Sequence, residues 1–198
     1  MNAKASRLAV LLAAFVGGLA LFLGAIFLVS GLSPTPSAGS SAIGGPFHLV
    51  DQNGKPFDDR DMKGKPYLVF FGYTHCPDIC PTTLFELSQL YRQLGPEANK
   101  VGALFITVDP ARDTQAVLKE YLASFDPHLR GLTGDQKAID QAIKDYRVYA
   151  KKVPLPGGDY SMDHTAMVYL MDKNGNFVAP FNMQRNAAAE AADLQKYL

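Results

Sequence analysis

Cys76 and Cys80 are the two cysteines of this chain, and they lie in one run, Tyr73-Thr74-His75-Cys76-Pro77-Asp78-Ile79-Cys80-Pro81. Two thiols separated by three residues can chelate a soft metal ion or close a small disulfide. A structural staple is the weaker reading, because the stabilisation a disulfide brings grows with the loop it closes and this loop is very short. Thioredoxin-like redox motifs carry two residues between the cysteines, whereas three give a wider bite that suits a metal. Thiolates favour Cu(I), and one added imidazole makes a three-coordinate S,S,N site able to hold copper in either oxidation state, Cu(I) or Cu(II). Zinc in a closed structural site normally takes a fourth protein ligand, and there is no third cysteine to supply it.

Four histidines compete for the imidazole role. His48 falls in an apolar strand pattern and His128 in an Asp-Pro-His turn, and both are explained without a metal. His75 adjoins Cys76, but neighbours in an extended chain point apart. His164 stands just before a strand, at the end of a long Pro/Gly-rich loop that starts near Lys152, and loops held by rigid elements commonly carry sites. Spacing alone leaves His164 and His75 close competitors.

The elements that position these residues follow from hydrophobic patterning. Tyr67-Leu68-Val69-Phe70-Phe71 is a short continuous apolar run and reads as a buried central strand ended by Gly72. The cysteine loop follows, and Pro81 then opens a helix along Phe85, Leu87, Leu90, Tyr91 and Leu94, stopped by Gly95-Pro96. A residue before proline avoids helical geometry, so Cys80 is expected outside the helix and near its N-cap. There the helix field would lower its pKa, with Asp78 opposing. A hairpin through Asn53-Gly54 leads the domain, and Val101 to Val108 is a second apolar strand. Asp113 or Thr114 caps the next helix, through Val117, Leu118, Tyr121 and Leu122. A helix from Ala138 to Tyr146, a strand from Ala166 to Met171 turned into Asn176-Phe177-Val178, and an Ala-rich helix from Asn186 complete the chain. Such alternation predicts an α/β fold, a mixed central sheet flanked by helices, with sites in loops at strand C-termini.

The N-terminus sets the compartment. Leu8 to Val29 is a run of about 22 uncharged residues, long enough to cross a hydrocarbon core of roughly 30 Å. Lys4 and Arg7 precede it, so residues 1–7 are expected in the cytoplasm, 8–29 as a transmembrane anchor and everything beyond outside. A cleaved signal peptide usually has an apolar core of about 7–15 residues, and this run is longer, although Ser37-Ala38-Gly39 offers small residues to a peptidase. A single-pass protein of a bacterial inner membrane, with its soluble domain on the periplasmic side, fits best. Residues 30–43 are a Pro/Ser/Gly tether and 44–198 one domain. Of 19 basic and 19 acidic residues, only Lys4 and Arg7 precede Asp51, so the exported part carries about two net negative charges, which argues against a nucleic-acid partner.

Four motifs together resemble the Sco/SenC family: Cys76-Pro77-Asp78-Ile79-Cys80-Pro81, Thr107-Val108-Asp109-Pro110-Ala111-Arg112-Asp113-Thr114, Gly131-Leu132-Thr133-Gly134, and Asp159-Tyr160-Ser161-Met162-Asp163-His164-Thr165-Ala166. The resemblance covers about residues 42 to 198. It implies a thioredoxin-like fold on a single membrane anchor and a copper site with Cys76, Cys80 and His164 as ligands. It further implies assembly of the dinuclear copper centre of cytochrome c oxidase, with that centre's subunit as acceptor and an exported protein as copper donor. Two thiolates and an imidazole leave copper coordinatively open, so an acceptor ligand can enter before the donor's ligands leave. Asp109 and Asp163 are candidates for supporting the ligands or steering charge, against the ordinary readings of a turn residue before Pro110 and a solvated loop charge. The alternative function is a thiol-disulfide reductase that keeps acceptor cysteines reduced, with Cys76 and Cys80 as its redox-active pair. A peroxide-removing enzyme is disfavoured because no dedicated peroxidatic cysteine exists beyond the pair.

Overall fold

The computed structural model describes residues 13–24 and 43–198. Residues 13–24 form a helix with exposed side chains, and among the described residues no helix is long and apolar enough to cross a membrane. The rest of the expected anchor, the cytoplasmic residues 1–7 and nearly all of the tether lie outside the described residues.

A compact unit spans Ala42–Leu198. Its strands are β1 (His48–Asp51), β2 (Pro56–Asp58), β3 (Tyr67–Gly72), β4 (Gly102–Thr107), β5 (Leu129–Thr133), β6 (Ala150–Pro154), β7 (Tyr160–His164), β8 (Val168–Met171) and β9 (Phe177–Phe181). Its helices are α1 (Ile79–Leu94), α2 (Gln115–Leu122), α3 (Gln136–Asp145) and α4 (Ala187–Leu194). Seven strands form one sheet in the order β2-β1-β5-β4-β3-β8-β9, while β6 and β7 pair separately. β3, β4 and β5 run parallel and the other pairs antiparallel, giving the mixed sheet of a thioredoxin-like fold.

β3 and β4 are the frame of the site. All six residues of each are buried. Successive strand side chains point to opposite faces, so both faces of the sheet are covered here, which is why these strands read as unbroken apolar runs. The leading hairpin turns through Asn53-Gly54, where Gly54 takes the left-handed φ of 80° that the turn requires. Asn186 caps α4 and Thr114 caps α2, each side chain accepting from a first-turn amide. Asp113, the other candidate cap, is turned inward instead.

Three expectations change. β5 was not anticipated, because Leu129-Arg130-Gly131-Leu132-Thr133 is short and interrupted by a charge and a glycine. The stretch from Lys152 to His164 is a ribbon, with Ala150 opposite His164 and Pro154 opposite Tyr160, where a loop was expected. Its residues are half-buried or exposed, so it lacks the apolar alternation by which strands are recognised. Finally, α1 begins at Ile79 with Asp78 as N-cap, which puts Cys80 inside the first turn. Pro81 is tolerated at the third position because first-turn amides have no intrahelical partner.

Candidate metal centre

β3 delivers the chain to the site edge, and Cys76 lies in the loop that follows, its amide donating to the Tyr73 carbonyl at 3.3 Å. α1 carries Cys80, and the far end of β7 carries His164, 84 residues away in sequence. One sulfur each from Cys76 and Cys80 and one nitrogen from His164 lie within 4.8 Å of one another. Cys80 Sγ is 3.5 Å from His164 Nε2. Both cysteines are free thiols.

His164 is oriented by its backbone neighbour. Its Nδ1 lies 3.1 Å from the Thr165 carbonyl oxygen. A carbonyl only accepts, so Nδ1 carries the hydrogen and Nε2 presents its lone pair to the cysteines. Tyr73 packs edge-on against the ring with centroids 5.7 Å apart, and Phe70 does so at 6.3 Å. Burial lowers the pKa of the imidazole, with the Thr165 carbonyl and the Asp163 charge pulling it back, so the ring is held in its neutral, ligating form.

Cys80 reverses the expected pKa shift. It is fully buried, and that burial pushes its thiol well up despite a backbone hydrogen bond from Tyr73 and a place in the first helical turn. Gly72 makes the pocket for its sulfur. A Cβ at position 72 would stand 2.8 Å from Cys80 Sγ and 2.7 Å from the Phe105 ring. Gly72→Ala is therefore expected to cost about 1–3 kcal/mol by overpacking and to displace the sulfur. Chemical denaturation together with a Cu(I) competition titration checks both effects.

The loop itself is fixed by Asp113, a residue missed as anything but a cap. Its carboxylate accepts from the Thr74 amide at 3.1 Å, the Thr74 hydroxyl at 2.6 Å and the Thr107 hydroxyl at 2.6 Å. Asp109 is 3% exposed, and its carboxylate accepts from Arg112 Nε and from the Tyr160 hydroxyl. A simple turn residue would be solvated. Asp163, by contrast, is exposed on β7, as a solvated charge would be.

The other histidines stay apart from the cluster. His75 is half exposed and bonds the Thr74 hydroxyl at 3.1 Å. His48 is exposed and pairs with Asp58. His128 bonds Asp126 at 2.7 Å and stacks on Tyr91.

Two thiols that become soft thiolates and one neutral imidazole converge at one point, a donor set suited to Cu(I). The SCO1/SenC family model matches residues 35–198. The SCO2-like protein of Rickettsia prowazekii is 34% identical over 198 residues, covering 94% of each chain. The mitochondrial protein SCO2 of Saccharomyces cerevisiae is 46% identical over 143 residues, 71% of this chain and 48% of the yeast protein, so the chain spans about half the length of that relative. Among solved structures, Bradyrhizobium japonicum ScoI with copper bound is 62% identical, superposes with a TM-score of 0.78, and is matched over 79% of this chain and 100% of its own. Fold, converging residues and these likenesses agree: the chain belongs to the SCO1/SenC family.

Proposed function

We propose that this chain carries copper as cargo on Cys76, Cys80 and His164 and delivers it to the dinuclear copper centre of cytochrome c oxidase. The observation that carries this reading is the convergence of His164 Nε2 on the cysteine pair, since thiol-disulfide exchange needs the two sulfurs alone. Membership of a family of cytochrome c oxidase assembly proteins and the copper found in ScoI support both the cargo and the destination. The apolar run 8–29 supports anchoring in a bacterial inner membrane, with residues 44–198 on the periplasmic side and the tether giving them reach to an acceptor. An exported protein would supply the copper.

A reductase role is the second reading, favoured by the closeness of the two free thiols. In it the pair would give up two electrons and close to a disulfide as an acceptor disulfide opens to two thiols. The two roles separate on His164→Ala. Protein loaded with Cu(I) is mixed with the reduced, copper-free acceptor domain, and the metal on each partner is measured after separation. Delivery is expected from the wild type and a loss of about tenfold or more from His164→Ala, the usual scale for disturbing a metal site. No delivery by the wild type, with equal reduction of an oxidised acceptor by both proteins, favours the reductase.

A further inference from the structure

The ribbon that carries His164 lies outside the seven-stranded sheet. Ala150 and Met162 touch the core, but the ribbon's remaining residues are half-buried or exposed, so little apolar burial sets its position. A polar clamp grips its start. Arg112 Nη1 donates to the Tyr160 carbonyl at 2.8 Å and to Asp159 Oδ1 at 3.2 Å. Its Nε donates to Asp109 Oδ2 at 2.5 Å, and Asp109 Oδ1 accepts from the Tyr160 hydroxyl at 2.9 Å.

The guanidinium also lies 3.6 Å from the Tyr160 ring centroid and 5.8 Å from that of Tyr73. Its Nη2 is buried without a hydrogen-bond partner, so attraction to these rings offsets part of its desolvation. Lys152 of β6 stands 3.8 Å from the same Tyr160 ring, which brings both strands of the ribbon to the clamp.

We propose that Arg112, held by Asp109, is a positioning residue for His164. It acts along two routes. One runs through Tyr160, which starts the strand that ends at His164; the other runs through Tyr73, whose ring packs edge-on against the imidazole. A buried ion pair is weak evidence for stability in its own right, since desolvation offsets much of its attraction. Placing a ligand is a use that its geometry does serve. Arginine is required because the planar fork meets Asp109, Asp159 and the Tyr160 carbonyl together, which an ammonium cannot do. The inference rests on His164 being a copper ligand.

A double-mutant cycle on the full chain tests it. Cu(I) affinity is measured by chelator competition, and the imidazole nitrogen splitting of the Cu(II) adduct by electron paramagnetic resonance. Arg112→Ala is expected to weaken binding about 10- to 100-fold, the usual effect of removing support behind a metal-bound histidine, and to diminish the nitrogen splitting. In a His164→Ala background it should cause no further loss. Arg112→Lys should not rescue binding. Tyr160→Phe, which removes one hydroxyl from the ribbon, should give a smaller loss with the same dependence on His164 and carries the cycle if Arg112→Ala does not fold. Equal losses in both backgrounds, or affinity and splitting unchanged, would overturn the proposal. Failure of the underlying assignment looks different, because His164→Ala alone would then leave copper binding intact.

Discussion

Cys80→Ser is expected to reduce Cu(I) affinity on the order of a thousandfold while the domain still folds. A four-ligand structural metal site is worth about 10–16 kcal/mol, so each ligand supplies a few kcal/mol, and one lost from a set of three is felt in full. Serine is nearly the same size, so it fits the space beneath Gly72. Its hydroxyl does not ionise in the accessible pH range and is a hard donor where Cu(I) needs a soft one. Cys80 Sγ also lies 3.5 Å from His164 Nε2, so its loss removes a donor standing directly beside the imidazole. Chelator competition gives the affinity, and thermal unfolding of the metal-free protein shows whether the domain survives.

Asp113→Ala is expected to have the largest effect on stability, about 3 kcal/mol or more. Three donors, the Thr74 amide and the Thr74 and Thr107 hydroxyls, would lose their acceptor; Thr107 is fully buried and Thr74 half-buried, and each unsatisfied buried group costs about 1–3 kcal/mol. The damage reaches the site, because Thr74 lies in the loop between β3 and α1 that carries Cys76. Asp113→Asn should cost less, since a threonine hydroxyl can turn to accept from the amide. Burial pushes the Asp113 carboxyl above its ordinary range, with the Thr107 and Thr74 hydrogen bonds pulling it back. A raised folded pKa means that this group's contribution is greatest at acid pH and declines as pH rises through the folded value. The deficit of Asp113→Asn should therefore be larger near pH 4 than at pH 7, as denaturant titrations at the two values would show.

Legibility in the sequence followed the range of the interactions. β3 and β4 could be read because they are buried on both faces and appear as unbroken apolar runs, and the cysteine pair because its spacing is local. His164 could not be separated from His75 by spacing. What separates them is the approach of β7 to the end of β3, a contact between distant parts of the chain; loop placement puts His164 only modestly ahead, and the resemblance sets it well above His75. The pKa of Cys80 was misread for a related reason. Helix position is a local property and burial is not, and burial dominates. Asp109 looked like an ordinary turn residue before Pro110, yet its carboxylate meets Tyr160, 51 positions on. Weak apolar patterning hid the ribbon itself, whose place is set by Arg112 and its partners.

X-ray absorption at the copper edge of the Cu(I)-loaded full chain tests the central claim most directly. The expected wild-type spectrum shows two sulfur neighbours and one imidazole, and His164→Ala loses the imidazole contribution while keeping both sulfurs. A wild-type spectrum without imidazole, or one unchanged by His164→Ala, would contradict the assignment of Cys76, Cys80 and His164 as the copper site.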